Sequence, residues 1–199
     1  MRRALRRICV FTGSSFGARD AYAARARHLG AALASTGIGL VYGGGKVGLM
    51  GVVADATLAA GGTVTGVIPR ALATKELLHD GLTELRVVGS MHERKALMAD
   101  LADGFIALPG GLGTFDELLE IVTWGQLGLH AKPVGLLDVA EYWRPLIELA
   151  RHATEEGFVR EADLASIAVA GEAGALLDRL ERMTREERPR PKWTRPPEP

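Results

Sequence analysis

Phe105-Ile106-Ala107-Leu108-Pro109-Gly110-Gly111-Leu112-Gly113-Thr114-Phe115-Asp116-Glu117 runs from a short apolar segment, through a glycine turn, into an amphipathic one. The apolar residues before Pro109 read as a buried strand, and the segment after the turn reads as a helix with Thr114 as its N-cap. Similar apolar runs occur at Ile8 to Phe11, Ile38 to Tyr42, Val64 to Ile68, Leu85 to Val88 and Val134 to Leu137. Between them lie alanine-rich amphipathic stretches near 18–35, 47–60, 91–102, 114–129 and 140–156, and a last helix is expected near 172–187. Such alternation predicts right-handed βαβ units. The expected fold is therefore α/β: a Rossmann-like, doubly wound parallel sheet with helices on both faces, in a single domain over residues 1–187.

Composition supports one packed domain and removes several functions. The chain has 199 residues, 47% of them hydrophobic, enough for a sizeable core. Its 24 basic and 24 acidic residues cancel, so no global field directs it to nucleic acid or to an anionic membrane. Cys9 is the single cysteine and the 5 histidines do not pair at ligand spacing, so neither a disulfide framework nor a metal site is readable. The basic start lacks the apolar core of a signal peptide, and no stretch is long enough to span a bilayer; a cytoplasmic location is expected. Residues 188–199 carry five of the 9 prolines and are expected to form a mobile tail.

In a parallel sheet, ligands bind beyond the carboxyl ends of the strands. Three strand ends carry glycine: Gly13-Ser14-Ser15-Phe16-Gly17, Gly43-Gly44-Gly45-Lys46-Val47-Gly48 and Pro109-Gly110-Gly111-Leu112-Gly113-Thr114. All are expected on one edge. The second formally matches a dinucleotide fingerprint, but no acidic residue ends the next strand, where Ile68 runs into Pro69 and Arg70. Tight helix-to-sheet packing explains it as well. Lys46 is followed by Val47, which excludes a Walker phosphate loop. The third turn opens a helix, where aligned peptide dipoles and free N–H groups suit a phosphate.

Glu117 has two readings. With Thr114 it completes a capping box; with a cationic partner it could stand at a reacting centre. The candidate partner is Arg94, which shares a helical stripe with Met91, Met98 and Leu101 after a second capping box, Ser90 to Glu93. A guanidinium on an apolar face needs a carboxylate or phosphate, and charge-assisted hydrogen bonds of roughly 1.5 to 3 kcal/mol each would offset its desolvation. A structural salt bridge is the competing role. Lys95 lies about 100 degrees further round and reaches the same anion only from the rim. The helix at 114–129 is apolar nearly all round, through Leu118, Leu119, Ile121, Val122, Trp124 and Leu127, so a second subunit or an internal helix is expected on its far side.

Taken together, Gly13-Ser14-Ser15, Tyr42-Gly43-Gly44-Gly45 through Gly51, Met91-His92-Glu93-Arg94-Lys95 and the Pro109 to Glu117 run resemble the motifs of the LONELY GUY family over about residues 7–180. Members are cytokinin riboside 5′-monophosphate phosphoribohydrolases. The resemblance implies a Rossmann-like homodimer that hydrolyses the N-glycosidic bond of a nucleoside 5′-monophosphate, such as AMP or a cytokinin riboside monophosphate, to base and ribose 5-phosphate, with no cofactor or metal. It also implies Arg94 and Glu117 as the catalytic pair. Substrate contacts are implied for Glu76, Lys95, Gly110, Gly111, Leu112, Gly113, Thr114, Asp116 and Thr123; Asp116 stands where many members carry glutamate.

The chemistry is consistent, because cleaving a ribosyl C–N bond builds positive charge on the sugar while electrons move to the base. Glu117 would stabilise that centre and either activate water or bond briefly to C1′, while Arg94 orients substrate and neutralises charge. A nucleotide-binding sensor or carrier would use the same cradle without turnover. The lysine decarboxylase label carried by related sequences would require pyridoxal phosphate on a lysine, and none is marked for that role.

Overall fold

A computed structural model describes residues 5–74 and 77–185. Seven strands, β1 (Arg7–Phe11), β2 (Gly39–Tyr42), β3 (Val64–Pro69), β4 (Glu84–Val88), β5 (Gly104–Ala107), β6 (Val134–Leu137) and β7 (Ile167–Ala170), form one sheet in the order β4-β3-β2-β1-β5-β6-β7. Every pairing is parallel. The helices are α1 (Asp20–Ser35), α2 (Gly48–Ala59), α3 (Met91–Leu101), α4 (Leu112–Gln126), α5 (Arg144–Glu155), α6 (Glu161–Ala165) and α7 (Ala173–Met183).

Strand periodicity sorts the core into two layers. Ile8, Val10, Leu40, Tyr42, Ile106 and Leu108 point to one face, where they meet Leu29, Leu33, Val53 and Leu176 of α1, α2 and α7. Their neighbours Cys9, Phe11, Val41, Phe105 and Ala107 point to the other, against Met98 of α3, Leu118 and Ile121 of α4, and Trp143. Both faces of the inner strands are therefore covered, which is why they read as continuous apolar runs. Helices α1 and α2 cross closely at Gly30, where a β-carbon would stand 2.6 Å from the Val53 carbonyl oxygen.

The structure departs from the expected elements in three places. Strand β7 and α6 fill the stretch before α7 that the sequence left without an element, because the run of four residues at Ile167–Ala170 is short and alanine-rich. Between β3 and β4 the described residues form no full helix, only a 3-10 turn at Arg70–Leu72 and, at Leu78, a bridge back onto Gly45 of the second glycine loop. Helix α4 starts at Leu112, two residues ahead of Thr114, and its N-cap is Gly111. The expected tail at 188–199 lies outside the described residues.

Strands run outward from β1 in one direction through β4; α3 then crosses back and β5 to β7 extend the opposite way. The reversal falls between β1 and β5, whose carboxyl ends meet where the Gly13 N–H donates to the Pro109 carbonyl at 3.2 Å. A crevice forms at such a reversal because the two following loops turn apart to opposite faces.

Candidate active site

That crevice is a cleft of about 430 Å³. All three glycine turns reach it, through Gly13 and Ser14, Gly43 and Gly45, and Gly111 to Thr114, as one shared sheet edge requires. Arg94 and Glu117 enter from α3 and α4 on the opposite side of the sheet from α2.

Each half of the pair is held in place. Helix α3 begins as predicted: Ser90 Oγ accepts from the Glu93 N–H at 3.1 Å, while Glu93 Oε2 accepts from Gly89 N–H at 2.7 Å. One turn on, Arg94 Nε donates to the Val67 carbonyl at 3.2 Å, and Nη2 stands 3.5 Å from Glu117 Oε1. Their side chains are only 12% and 11% exposed. The second glycine loop makes room for this, since a β-carbon on Gly43 would lie 2.0 Å from Arg94 Nη2. Gly43 thus serves close approach to the guanidinium, while Gly44 takes a left-handed φ of 76°.

Glu117 is not the capping residue that its spacing with Thr114 allows. Because α4 starts earlier, Glu117 lies in the second turn and faces Arg94. Burial is the main cause that pushes its pKa above the ordinary carboxylate value; the Arg94 guanidinium opposes the shift, and Asp116 adds to it. No side chain caps α4. The N–H groups of Leu112, Gly113 and Thr114 precede the first helical bond, from Phe115 N–H to the Gly111 carbonyl at 3.1 Å, so among the described residues no backbone acceptor competes with an anion for them.

Lys95 turns away from the cleft toward α4. Its Nζ lies 3.1 Å from Asp116 Oδ2 and 3.0 Å from Glu120 Oε2, and its side chain is 11% exposed. Burial works against the ammonium, but hydrogen bonds and charge from Glu120 and Asp116 outweigh it and raise its pKa. Glu120, which no local pattern marks, thereby joins the α3–α4 contact beside the pair. Asp116 and Leu112 line the cleft, whereas Thr123 does not: it lies on the exposed side of α4, its hydroxyl donating to the Leu119 carbonyl at 2.7 Å. Glu76 lies outside the described residues; its neighbour Leu77 lines the cleft.

Comparison with known proteins places this chain in a family. The model of a family described as "Possible lysine decarboxylase" matches residues 50–180. The chain is 51% identical over 163 residues to the cytokinin riboside 5′-monophosphate phosphoribohydrolase of Rhodococcoides fascians, covering 81% of this chain and 82% of that one. It is 49% identical over 176 residues to the enzyme of the same name, LOG3, from Arabidopsis thaliana, covering 88% and 82%. The chain belongs to the LONELY GUY family. Solved structures similar to this LONELY GUY chain include the molybdenum cofactor carrier protein of Chlamydomonas reinhardtii, with a TM-score of 0.68 at 23% identity, covering 90% of this chain and 98% of that one. The molybdenum cofactor binding protein of Rippkaea orientalis has a TM-score of 0.67 at 22% identity, covering 92% and 99%. Those likenesses concern the fold.

The decarboxylase description of the family model finds no support in the cleft of this LONELY GUY member. No described lysine lines it, and Lys132, outside it, donates to the Ala99 carbonyl at 2.6 Å. Among the described residues, none offers a Schiff-base cofactor an anchor there.

Proposed function

We propose that this chain hydrolyses the N-glycosidic bond of nucleoside 5′-monophosphates, cytokinin riboside 5′-monophosphate or AMP, releasing the base and ribose 5-phosphate. The observation that carries this reading is the meeting of Arg94 and Glu117 at 3.5 Å in the cleft that also holds the uncapped start of α4. The 5′-phosphate binds the N–H groups of Gly111 to Thr114, and that remote anchorage sets the ribose over the acid. As the C1′–N bond breaks, its electron pair goes to the base nitrogen and positive charge builds on the ribosyl ring. Glu117 faces that charge and accepts a proton from the water that adds to C1′; its raised affinity for protons suits the task. Arg94 holds the substrate and offsets the charge moving through the site. The departing base takes up a proton, so water is divided between the two products.

We also infer a homodimer through α4. Leu118 and Ile121 face the core, but Leu119 is 50% and Leu127 42% exposed, above a groove of about 460 Å³ lined by α4, α5 and α6. Thr123 lines the same groove. Within one chain it is remote from the cleft, so a substrate contact from Thr123 requires a second copy on this face.

The test is to incubate the protein with AMP, a cytokinin riboside monophosphate and their dephosphorylated nucleosides, and to chromatograph the products. Free base is expected from the monophosphates and little from the nucleosides. Nucleotide-induced thermal stabilisation without base release would instead identify a sensor or carrier.

A further inference from the structure

Just before α5 the backbone passes through two consecutive non-glycine residues in the left-handed region, Ala140 at φ 53° and Glu141 at φ 60°. They are the only such residues among those described. Backbone of this kind is unfavourable with a β-carbon and persists where its surroundings hold it. Neither residue lines the cleft. The next residue, however, is Tyr142, and its hydroxyl donates to the carbonyl of Gly110 in the third glycine turn. The ring is fixed on two sides: edge-on to Tyr22 with centroids 5.9 Å apart, and edge-on to Trp143 at 5.2 Å. Trp143 is fully buried, its backbone N–H donates to Asp138 Oδ1 at 3.0 Å, and its ring meets Phe115 of α4 at 5.9 Å.

Two successive carbonyls of the turn are therefore tied down. That of Pro109 accepts from the Gly13 N–H at 3.2 Å and from the Thr12 hydroxyl at 3.1 Å, and that of Gly110 accepts from Tyr142. In a trans peptide the C=O and the following N–H point in opposite directions, and no described peptide is cis. Securing those oxygens fixes where the N–H groups of Gly110 and Gly111 aim. Packing does not do this at Gly111, where a β-carbon would meet nothing within 4 Å.

We propose that Tyr142 is a positioning residue for the phosphate cradle, its hydroxyl holding the Gly110–Gly111 peptide so that the N–H groups leading into α4 face the substrate's phosphate. The left-handed turn at Ala140 and Glu141 is what aims Tyr142 at Gly110. This rests on reading the turn as the phosphate site.

Tyr142→Phe keeps the ring and removes only the hydroxyl. Ribose 5-phosphate binding is measured by calorimetry, alongside kcat, KM and the pH profile for AMP, and a thermal melt. Loss of one hydrogen bond that orders the cradle should weaken ribose 5-phosphate binding and raise KM by about tenfold. The kcat should stay within about threefold and the acid limb of the pH profile should not move, because Glu117 is untouched. A merely structural role would lower the melting temperature and leave KM and binding unchanged; that outcome, or wild-type values throughout, overturns the proposal. If the unaltered protein binds ribose 5-phosphate but releases no base, the hydrolase reading fails while weakened binding in Tyr142→Phe still supports the positioning role. Failure of the unaltered protein to bind ribose 5-phosphate removes the cradle and the proposal together.

Discussion

Gly43 and Arg94 are in direct contact: a β-carbon on Gly43 would lie 2.0 Å from Nη2 and 3.1 Å from Cζ of the guanidinium. The end of β2 thus forms a wall against which Arg94 is aligned with Glu117. Gly43→Ala must push the guanidinium out of that position, and displacement by about 1 Å at a reacting centre costs on the order of 10²-fold in rate. The expected result is a loss of this size in kcat/KM for AMP with the circular dichroism spectrum unchanged. Near-normal turnover would show that the position of Arg94 does not matter.

Glu117→Gln should slow AMP hydrolysis by about 10²-fold or more while making the protein harder to melt. Burial, opposed by Arg94, leaves the Glu117 pKa above its ordinary value. A carboxyl group of this kind binds protons more tightly in the folded chain than in the unfolded one, so its contribution to stability falls as pH rises from about 4.3 through the folded pKa. Glutamine carries no such linkage. At pH 7 the variant should therefore melt higher, on the order of a few degrees, and the difference should shrink as pH is lowered toward 4. Melts across pH check this, and a variant that melts lower at pH 7 refutes it. The same shift places the acid limb of the wild-type pH–rate profile above the ordinary glutamate range.

Lys95 joins α3 to α4 through Glu120 at 3.0 Å and Asp116 at 3.1 Å. Removing one member of a shielded pair leaves the other charge without compensation. Lys95→Met and Glu120→Gln should each lower stability, and the double variant should lose less than the sum, with a coupling of about 1 to 3 kcal/mol. Urea unfolding of the four proteins measures the coupling. Strict additivity would mean that the contact is incidental.

Leu119 tests the dimer. In a two-fold interface one substitution alters both copies, so Leu119→Arg brings like charges onto a face that is apolar in the native chain. Light scattering at micromolar concentration should give a dimer for the native protein and a monomer for Leu119→Arg. A native monomer would leave the outward side of α4 without an explanation.

Much of this arrangement could be read along the chain, and the parts that could not share a cause. Two-sided burial makes strands into unbroken apolar runs, so β1 to β6 were legible from local composition, as was the sharing of one edge by the glycine turns. The helical stripe already offered Arg94 as a partner for Glu117, but a structural salt bridge explained it equally well and only the motif resemblance made the two a catalytic pair; locally, Thr114 and Glu117 spell a helix start as well as an active site. What decides between those meanings is the start of α4 at Leu112 and the placement of α3 beside it, both set by tertiary packing. Gly43 read as a packing glycine because nothing near it in sequence mentions Arg94. Neither Glu120 nor Tyr142 carries a motif, since their partners, Lys95 and Gly110, belong to other segments of the chain.

The clasp between Gly13 and Pro109 also bears on how ligand comes and goes. It joins the ends of two central, directly paired strands, so the floor beneath the nucleotide cannot part without tearing the sheet. Traffic is left to the outer lip, where Leu112 is 84%, Met91 42% and Leu72 41% exposed. Side chains exposed at such a mouth swing within nanoseconds, far faster than the turnover of a typical enzyme, so they do not limit entry or exit.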